Sequence, residues 1–160
     1  MKLRRIKMNL LKDEEALFTL VNDISWQFFH RPFKHRVKFN HRLRTTGGRY
    51  IPTEKLIELN PKYVIELGIS ELVGIIKHEL CHYHLHIQGK GYQHGDDDFK
   101  ALLKETGSPR YCRPLPSSQK TKKHIYTCHS CKHQYQRIRR VNVKKYRCGK
   151  CGGKIRLLNE

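Results

Sequence analysis

The sequence predicts an α+β domain followed by a small β module. Apolar residues recur at helical spacing in three segments: 13–29, 70–87 and 96–106. Between the first two lie short apolar runs typical of the strands of a small antiparallel sheet: 36–44, 49–51 and 55–60. Two Cys-x₂-Cys pairs then follow a stretch rich in Pro, Ser and Lys. We therefore expect a first domain over 1–112, a linker over 113–123 and a second module over 124–160.

The composition favours a protein that works in the cytoplasm, without a membrane partner. The chain has 160 residues, of which 38% are hydrophobic, enough for one modest core and a small appendage. No apolar run approaches the roughly 18 residues that a membrane span requires. Lys12, Asp13 and Glu14 interrupt the N-terminal apolar stretch, which argues against a signal peptide. Six cysteines in a cytosolic chain indicate metal or redox chemistry rather than structural disulfides.

The charge is strongly positive and unevenly distributed. The formal net charge is +19. Residues 113–160 contain 14 Lys or Arg and a single acid, whereas residues 1–112 contain 19 Lys or Arg and 13 acids. A concentrated basic excess favours a polyanionic partner, most simply a nucleic acid.

The strongest chemical signal is the pentapeptide HELCH at 78–82, which fits the H-E-x-x-H pattern. Residues four apart lie on one face of a helix, so His78 and His82 can aim at the same ion. Glu79 then lies beside that ion, where it can accept a proton from a bound water. Zinc with three protein ligands and one water hydrolyses amides in this way. The sequence therefore predicts a catalytic zinc site with Glu79 as the base.

The third zinc ligand has two candidates. His86 is eight residues from His78, about 12 Å along a helix, which is too far for one ion with bonds near 2 Å. His94 follows the glycines that end the helix and can fold back over the metal, and we prefer it. Glu105, on the next predicted helix, is the alternative. His84 and His86 are expected to face solvent.

A second metal site is predicted in the C-terminal module. Its four cysteines have the spacing C-x₂-C, sixteen residues, C-x₂-C: Cys128, Cys131, Cys148 and Cys151. This is the spacing of a zinc ribbon, in which four thiolates close the coordination sphere around a structural zinc. A redox dithiol is the weaker alternative, and a ligand set with one nearby histidine remains open.

Cations and tyrosines lie between the two cysteine pairs. The cations are Arg137, Arg139, Arg140, Lys144, Lys145 and Arg147. Cations neutralise phosphates and aromatic rings stack on unpaired bases, which predicts sequence-tolerant binding of DNA, single-stranded or damaged, or of another nucleic acid. The alternative is a solvated basic face.

These motifs together resemble the SprT-like (Spartan) zinc metalloproteases, and in particular their small bacterial members. The resemblance rests on HELCH, on the Gly-Tyr-x-His-Gly stretch at 91–95, on Phe99 and on the basic four-cysteine module. It implies a zincin-like metalloprotease domain followed by a zinc ribbon, with His78, His82 and His94 as zinc ligands and Glu79 as the base. Animal relatives cut proteins crosslinked to DNA.

We therefore expect a zinc-dependent peptidase whose substrate is a protein near DNA, with one catalytic and one structural zinc. The strand Val37–Leu43 is expected to form the cleft edge that pairs with an extended substrate. Two other functions remain open. One is a nucleic-acid-binding zinc protein with a non-proteolytic HELCH site. The other is a metal-dependent ribonuclease, because residues 91–94 echo the rRNA-maturation metalloproteins, although Glu79 argues against it.

Overall fold

A computed structural model describes residues 10–118 and 124–158. They belong to two compact units, with the division between Ser118 and Gln119. The first unit has this element order: α1 (Glu14–Phe29), β1 (Arg36–Phe39), β2 (Gly48–Ile51), β3 (Leu56–Leu59), α2 (Pro61–Glu66), α3 (Ile69–Ile87) and α4 (Asp97–Glu105). The second unit contains β4 (His124–Cys128), β5 (Gln134–Arg137) and β6 (Ile155–Leu157). The predicted α+β class is confirmed.

Helix α3 is the centre of the first unit. It packs against α1, α2, α4 and β2. Its apolar stripe of Leu72, Ile76 and Leu80 is fully buried, as the 3.6-residue period of an amphipathic helix requires. Against this stripe lie Leu17 and Val21 of α1, also fully buried. The predicted metal-binding pentapeptide is therefore on the most firmly held helix of the unit.

The sheet of the first unit is mixed, with the strand order β1-β3-β2. Strands β2 and β3 pair antiparallel, because the four residues 52–55 between them make a tight reversal. Strand β1 runs parallel to β3. The eight residues 40–47 carry the chain past the end of β3, which places β2 on the far side of that strand.

Part of the predicted linker packs on the first unit. Leu115 is 1% exposed and belongs to the main core. The Glu71 carboxylate accepts hydrogen bonds from the backbone N–H and from Nε of Arg113, at 2.9 and 2.7 Å. The Glu66 carboxylate likewise accepts hydrogen bonds from the backbone N–H and from the hydroxyl of Ser117. The first unit therefore extends to Ser118.

In the second unit, the strand order is β5-β4-β6, with both pairs antiparallel. Its core is very small and consists of Cys128, Cys148 and Ile155, with a few half-buried apolar residues around them. Such a core is too small to stabilise a fold without a crosslink or a metal. In the described parts of both units, no helix has the length and apolarity that crossing a membrane requires.

The N-terminal cap of α1 can be tested by mutation. Asp13 caps the helix by accepting hydrogen bonds from the backbone N–H groups of Glu15 and Ala16, at 2.9 and 3.3 Å. Replacing Asp13 by Ala should lower the free energy of unfolding by about 1 kcal/mol, measured by urea denaturation followed by circular dichroism. Asp23→Ala, at an exposed position inside the same helix, is the matched control. Equal destabilisation by both variants would contradict the capping role.

Candidate metal centre

Three histidines of the first unit meet at one point. His78 and His82 are one turn apart on α3, and His94 arrives from the loop that follows this helix. The Nε2 atom of His78 lies 2.9 Å from Nε2 of His94 and 3.3 Å from Nε2 of His82. Zinc with bonds of about 2.0–2.1 Å to nitrogen needs ligand atoms about 3.3 Å apart in a tetrahedral site. The spacing of the three nitrogens fits one zinc ion.

Backbone carbonyls set the orientation of the two helical imidazoles. Nδ1 of His78 donates a hydrogen bond to the carbonyl oxygen of Pro109 at 2.9 Å, and Nδ1 of His82 donates one to the carbonyl oxygen of Tyr92 at 2.6 Å. Since Nδ1 carries the proton in both rings, each neutral ring offers the lone pair of Nε2. In metal sites, a hydrogen bond from the ring nitrogen that does not bind the metal fixes the tautomer of the ligand histidine.

The Nε2 lone pairs of His78 and His82 face each other at 3.3 Å, where they repel unless a cation lies between them. Burial lowers the pKa of His78, and it lowers the pKa of His82 to about 4, with the neighbouring imidazoles contributing to both shifts. The rings of His78 and His82 are therefore neutral at pH 7, which is the form that binds a metal. This chemistry is the strongest sign that the group is a metal site.

An aromatic ring on α4 supports the three imidazoles. Phe99 is 1% exposed, and its ring stacks on His82 with centroids 4.3 Å apart. It also meets His78 and His94 edge-on, at 5.4 and 5.2 Å. The ring excludes water from one side of the site and limits the rotation of each imidazole.

The loop that carries His94 is held by acidic side chains next to α4. Asp96 accepts a hydrogen bond from the backbone N–H of Gln93 at 2.8 Å, and Asp98 accepts one from the N–H of Gly91 at 3.1 Å. A Cβ atom at Gly91 would approach Cβ of Asp96 to 2.8 Å. Gly91 is therefore required by a close approach within the loop.

Glu79 lies beside the histidines and under β2. It is 5% exposed, and the backbone N–H of Tyr50 donates a hydrogen bond to its carboxyl group. Burial raises its pKa to about 8. Without a cation beside it, this carboxyl is mostly protonated at pH 7, whereas a divalent cation at the histidines would favour the carboxylate, which is the form that accepts a proton.

Strand β2 comes close to α3 because two glycines remove the side chains that would separate them. A Cβ atom at Gly47 would lie 2.7 Å from Cδ1 of Ile75, and one at Gly48 would lie 3.0 Å from Cγ of Glu79. The histidines and Glu79 open into a cleft of about 810 Å³, and β2 forms one of its walls. The prediction that Val37–Leu43 edges the cleft is wrong, because β1 lies on the opposite side of β3.

Two other predictions concern residues near the site. The carboxylate of Glu105 is not part of the metal-capable group, which consists of the three histidines alone among the described residues of this unit. His84 was expected to face solvent, but it is 4% exposed, and its Nε2 lies 2.8 Å from Oγ of Ser25 on α1. His86 is half-buried and hydrogen-bonded to the hydroxyl of Tyr50 at 2.7 Å. Both histidines connect α3 to its neighbours.

The four predicted cysteines of the second unit also converge. Sγ of Cys128 lies 3.5 Å from Sγ of Cys151, and Sγ of Cys131 lies 3.6 Å from Sγ of Cys148. All four sulfur atoms are within 4.8 Å of one another. Bonds of about 2.3 Å to zinc would place them about 3.8 Å apart, so the cluster fits zinc. The hydroxyl of Tyr135, 3.0 Å from Sγ of Cys148, lowers the pKa of that thiol to about 6.

The six predicted nucleic-acid-binding cations are all exposed, but they differ in their contacts. Arg147 donates from Nη1 to the carbonyl oxygens of Val143, Lys144 and Tyr146, so it closes the turn before the second cysteine pair. Lys145 lies over the ring of Tyr146, and Arg137 lies over the ring of Tyr135. Arg139 and Arg140 lie in the segment after β5.

Comparison with known proteins agrees with this geometry. The SprT-like family model matches residues 15–129, and the model of the SprT-like zinc ribbon domain matches residues 122–159. The chain belongs to the SprT-like family. The resemblance seen in the sequence is therefore confirmed, and the Cys₄ cluster lies in a zinc ribbon domain.

Similar proteins match almost the whole chain. "Protein SprT-like" of Oceanobacillus iheyensis is 59% identical over 149 residues, which cover 93% of this chain and 99% of that protein. "Protein SprT-like" of Bacillus subtilis is 54% identical over 145 residues, covering 90% and 97%. The crystal structure of the metallopeptidase zymogen abylysin of Pyrococcus abyssi is 25% identical, with a TM-score of 0.38, over 57% of this chain and 76% of that one. At that TM-score, the last likeness does not establish a shared fold.

The identity of the third ligand can be tested by metal content. We expect wild-type protein, expressed with zinc and dialysed, to retain two zinc ions per chain by mass spectrometry. His94→Ala should retain one, because two imidazoles hold zinc much more weakly than three. Glu105→Ala is the matched control and should retain two. Loss of zinc from Glu105→Ala together with retention by His94→Ala would contradict the assignment.

Proposed function

We propose that this protein is a zinc-dependent peptidase that acts on proteins bound or crosslinked to DNA. The observation that carries the peptidase proposal is that the triangle of three Nε2 atoms and Glu79 line the same open cleft. His78, His82 and His94 would hold the catalytic zinc. Three protein ligands leave a coordination position for water, as catalytic zinc sites require.

Bound zinc supplies Lewis acidity and makes water a nucleophile near neutral pH. Glu79 accepts the proton of the attacking water and returns it to the leaving amine. The N–H of Tyr50 holds the Glu79 carboxyl in place. The carbonyls of Pro109 and Tyr92 keep His78 and His82 in the ligand tautomer, and Phe99 keeps water from the far side of the rings.

Strand β2 supports binding of an extended peptide. It is an edge strand of the described sheet, with β3 on one side only, and it lines the cleft. An extended substrate can add to such an edge through main-chain hydrogen bonds, which tolerate many side chains. This mode places the substrate backbone next to Glu79 without selecting a particular sequence through deep pockets.

The basic ribbon supports the choice of DNA-associated proteins. Its four cysteines would hold a structural zinc, and the cations between them would neutralise phosphates. The exposed ring of Tyr146 next to Lys145 is suited to stacking on an unpaired base. In this proposal, the ribbon brings the peptidase to proteins that are held on single-stranded or damaged DNA.

Glu79→Gln tests the peptidase. We expect this variant to keep two zinc ions per chain and to lose cleavage by about 10²- to 10⁴-fold, because the proton acceptor is removed. The assay is cleavage of a linker histone with and without a single-stranded oligonucleotide, followed by gel electrophoresis. Glu14→Gln, on α1, should cleave like wild type. A Glu79→Gln protein of full activity would overturn the mechanism, and RNA cleavage that depends on the histidines would favour the ribonuclease.

The ribbon's role can be tested by the salt dependence of oligonucleotide binding. Replacing Arg139 and Arg140 by Gln should reduce the slope of log K against log salt by about 1.4, because each phosphate contact on a single strand contributes about 0.7. Fluorescence anisotropy with a single-stranded oligonucleotide measures the slope. Lys62→Gln with Lys104→Gln removes the same charge from exposed positions of the first unit and should leave the slope unchanged. An equal change in both double variants would contradict a ribbon-specific site.

A further inference from the structure

We propose that Arg49 selects peptide segments that carry an Asp or Glu side chain where the substrate pairs with β2. This inference rests on the proposed peptidase function, and it names a substrate class for the same cleft. Arg49 lies on the strand that lines the cleft, and its side chain is about half exposed.

The register of the sheet places Arg49 opposite a substrate side chain. The N–H of Asn60 donates to the carbonyl of Gly47 at 2.8 Å, and Gly48 pairs with Leu59. Because antiparallel ladders alternate, the peptide groups of Gly47 and Arg49 bond toward β3, and those of Gly48 and Tyr50 point to the free edge. The hydrogen bond from the N–H of Tyr50 to Glu79 agrees with this direction.

A peptide added antiparallel to this edge would bond to the N–H and carbonyl of Gly48 and to the carbonyl of Tyr50, because the N–H of Tyr50 is already bonded to Glu79. The substrate residue opposite Arg49 would then form a non-hydrogen-bonded pair, in which Cα atoms are only about 4.5 Å apart. Side chains of such a pair leave the sheet on the same face and touch each other. The first neighbour of that substrate side chain is the Arg49 guanidinium.

The Arg49 side chain is held in place by Glu58 on β3. Nε of Arg49 lies 2.7 Å from Oε2 of Glu58, which is 4% exposed and also accepts a hydrogen bond from Asn40 at 2.7 Å. The Lys38 ammonium lies 3.3 Å from the other oxygen of the same carboxylate. Because the ion pair with Glu58 uses Nε, the two Nη nitrogens of Arg49 remain to bind a second carboxylate.

The charges around the cleft favour an anionic side chain. Of the described residues that line it, two are arginines, Arg49 and Arg110, and one is an acid, Glu79. Glu79 is buried beneath β2, whereas both arginines are exposed. Cross-strand pairs of opposite charge contribute enough to change selectivity by about two- to fivefold, and like charges are disfavoured by a similar factor.

The structure also supplies a matched control. Lys38 contacts the same carboxylate as Arg49, but it lies on β1, which is separated from the cleft by β3. Lys38→Gln and Arg49→Gln each remove one cation from Glu58 and should disturb the sheet to a similar degree. Only Arg49→Gln removes a cation from the cleft.

The test is cleavage of a chymotryptic peptide library, with new termini identified by mass spectrometry. We expect Asp and Glu to be enriched at one fixed distance from the cut bond. Arg49→Gln should reduce this enrichment about two- to fivefold, and Lys38→Gln should leave it unchanged. Cleavage without acidic enrichment, or with an enrichment that Arg49→Gln does not alter, would overturn the inference and leave the peptidase standing.

A binding assay separates this inference from the peptidase proposal. The Glu79→Gln protein is immobilised, and the peptides that it retains from the same library are sequenced. Peptides retained by the Glu79→Gln protein should be rich in Asp and Glu. Adding Arg49→Gln to this protein should reduce the enrichment, and adding Lys38→Gln should leave it unchanged. If this binding pattern is found but the wild-type protein cleaves no peptide, the peptidase proposal is overturned and the selection of acidic peptides is retained. Absence of acidic enrichment among the retained peptides would overturn the selection of acidic peptides. The selection would also be overturned if a single-stranded oligonucleotide displaced the acidic peptides only when Arg49 is present.

Discussion

The candidate metal centre depends on holding three imidazole Nε2 atoms at one point. The unprotonated Nε2 atoms of His78 and His82, 3.3 Å apart, repel each other, so the protein must enforce their positions until a cation fills the space between them. Two enforcing contacts come from carbonyls outside α3, those of Pro109 and Tyr92, which accept the Nδ1 protons. A third is the Phe99 ring, against which all three imidazoles pack. Helix α4 and the loops on both sides of it are arranged around this requirement.

A second constraint is the close passage of β2 over α3. Gly47 and Gly48 bring backbone within contact distance of Ile75 and Glu79, which a larger residue would prevent. The same approach removes water from Glu79 and raises the pKa of its carboxyl, while the N–H of Tyr50 fixes its position. The packing of β2 on α3 and the proton affinity of Glu79 therefore have a single cause. The two glycines do no chemistry themselves, yet the chemistry depends on them.

The second unit follows a different principle, because its apolar core is too small to hold three strands. Four sulfur atoms take the place of a larger core, and the hydroxyl of Tyr135 favours the thiolate form of Cys148. Most side chains of the second unit can then be cationic, since few side chains are needed in its core. This explains how so short a segment carries most of the chain's charge excess. One of its arginines, Arg147, is bound to three backbone carbonyls and stabilises the turn as well as adding charge.

The sequence by itself determined the long helices, the helical histidine pair, the four cysteines and the family, because those signals are local, whereas the choice of His94 over Glu105 required the structure. Helical periodicity, the four-residue spacing of His78 and His82, and the Cys-x₂-Cys pairs each act within a few residues of the chain. Strand pairing, the cleft wall, the burial of His84 and the carbonyls that orient the ligands required the tertiary structure. These features join residues far apart in the chain, such as His84 with Ser25 and His78 with Pro109. No local pattern specifies which distant partner a buried polar atom will find.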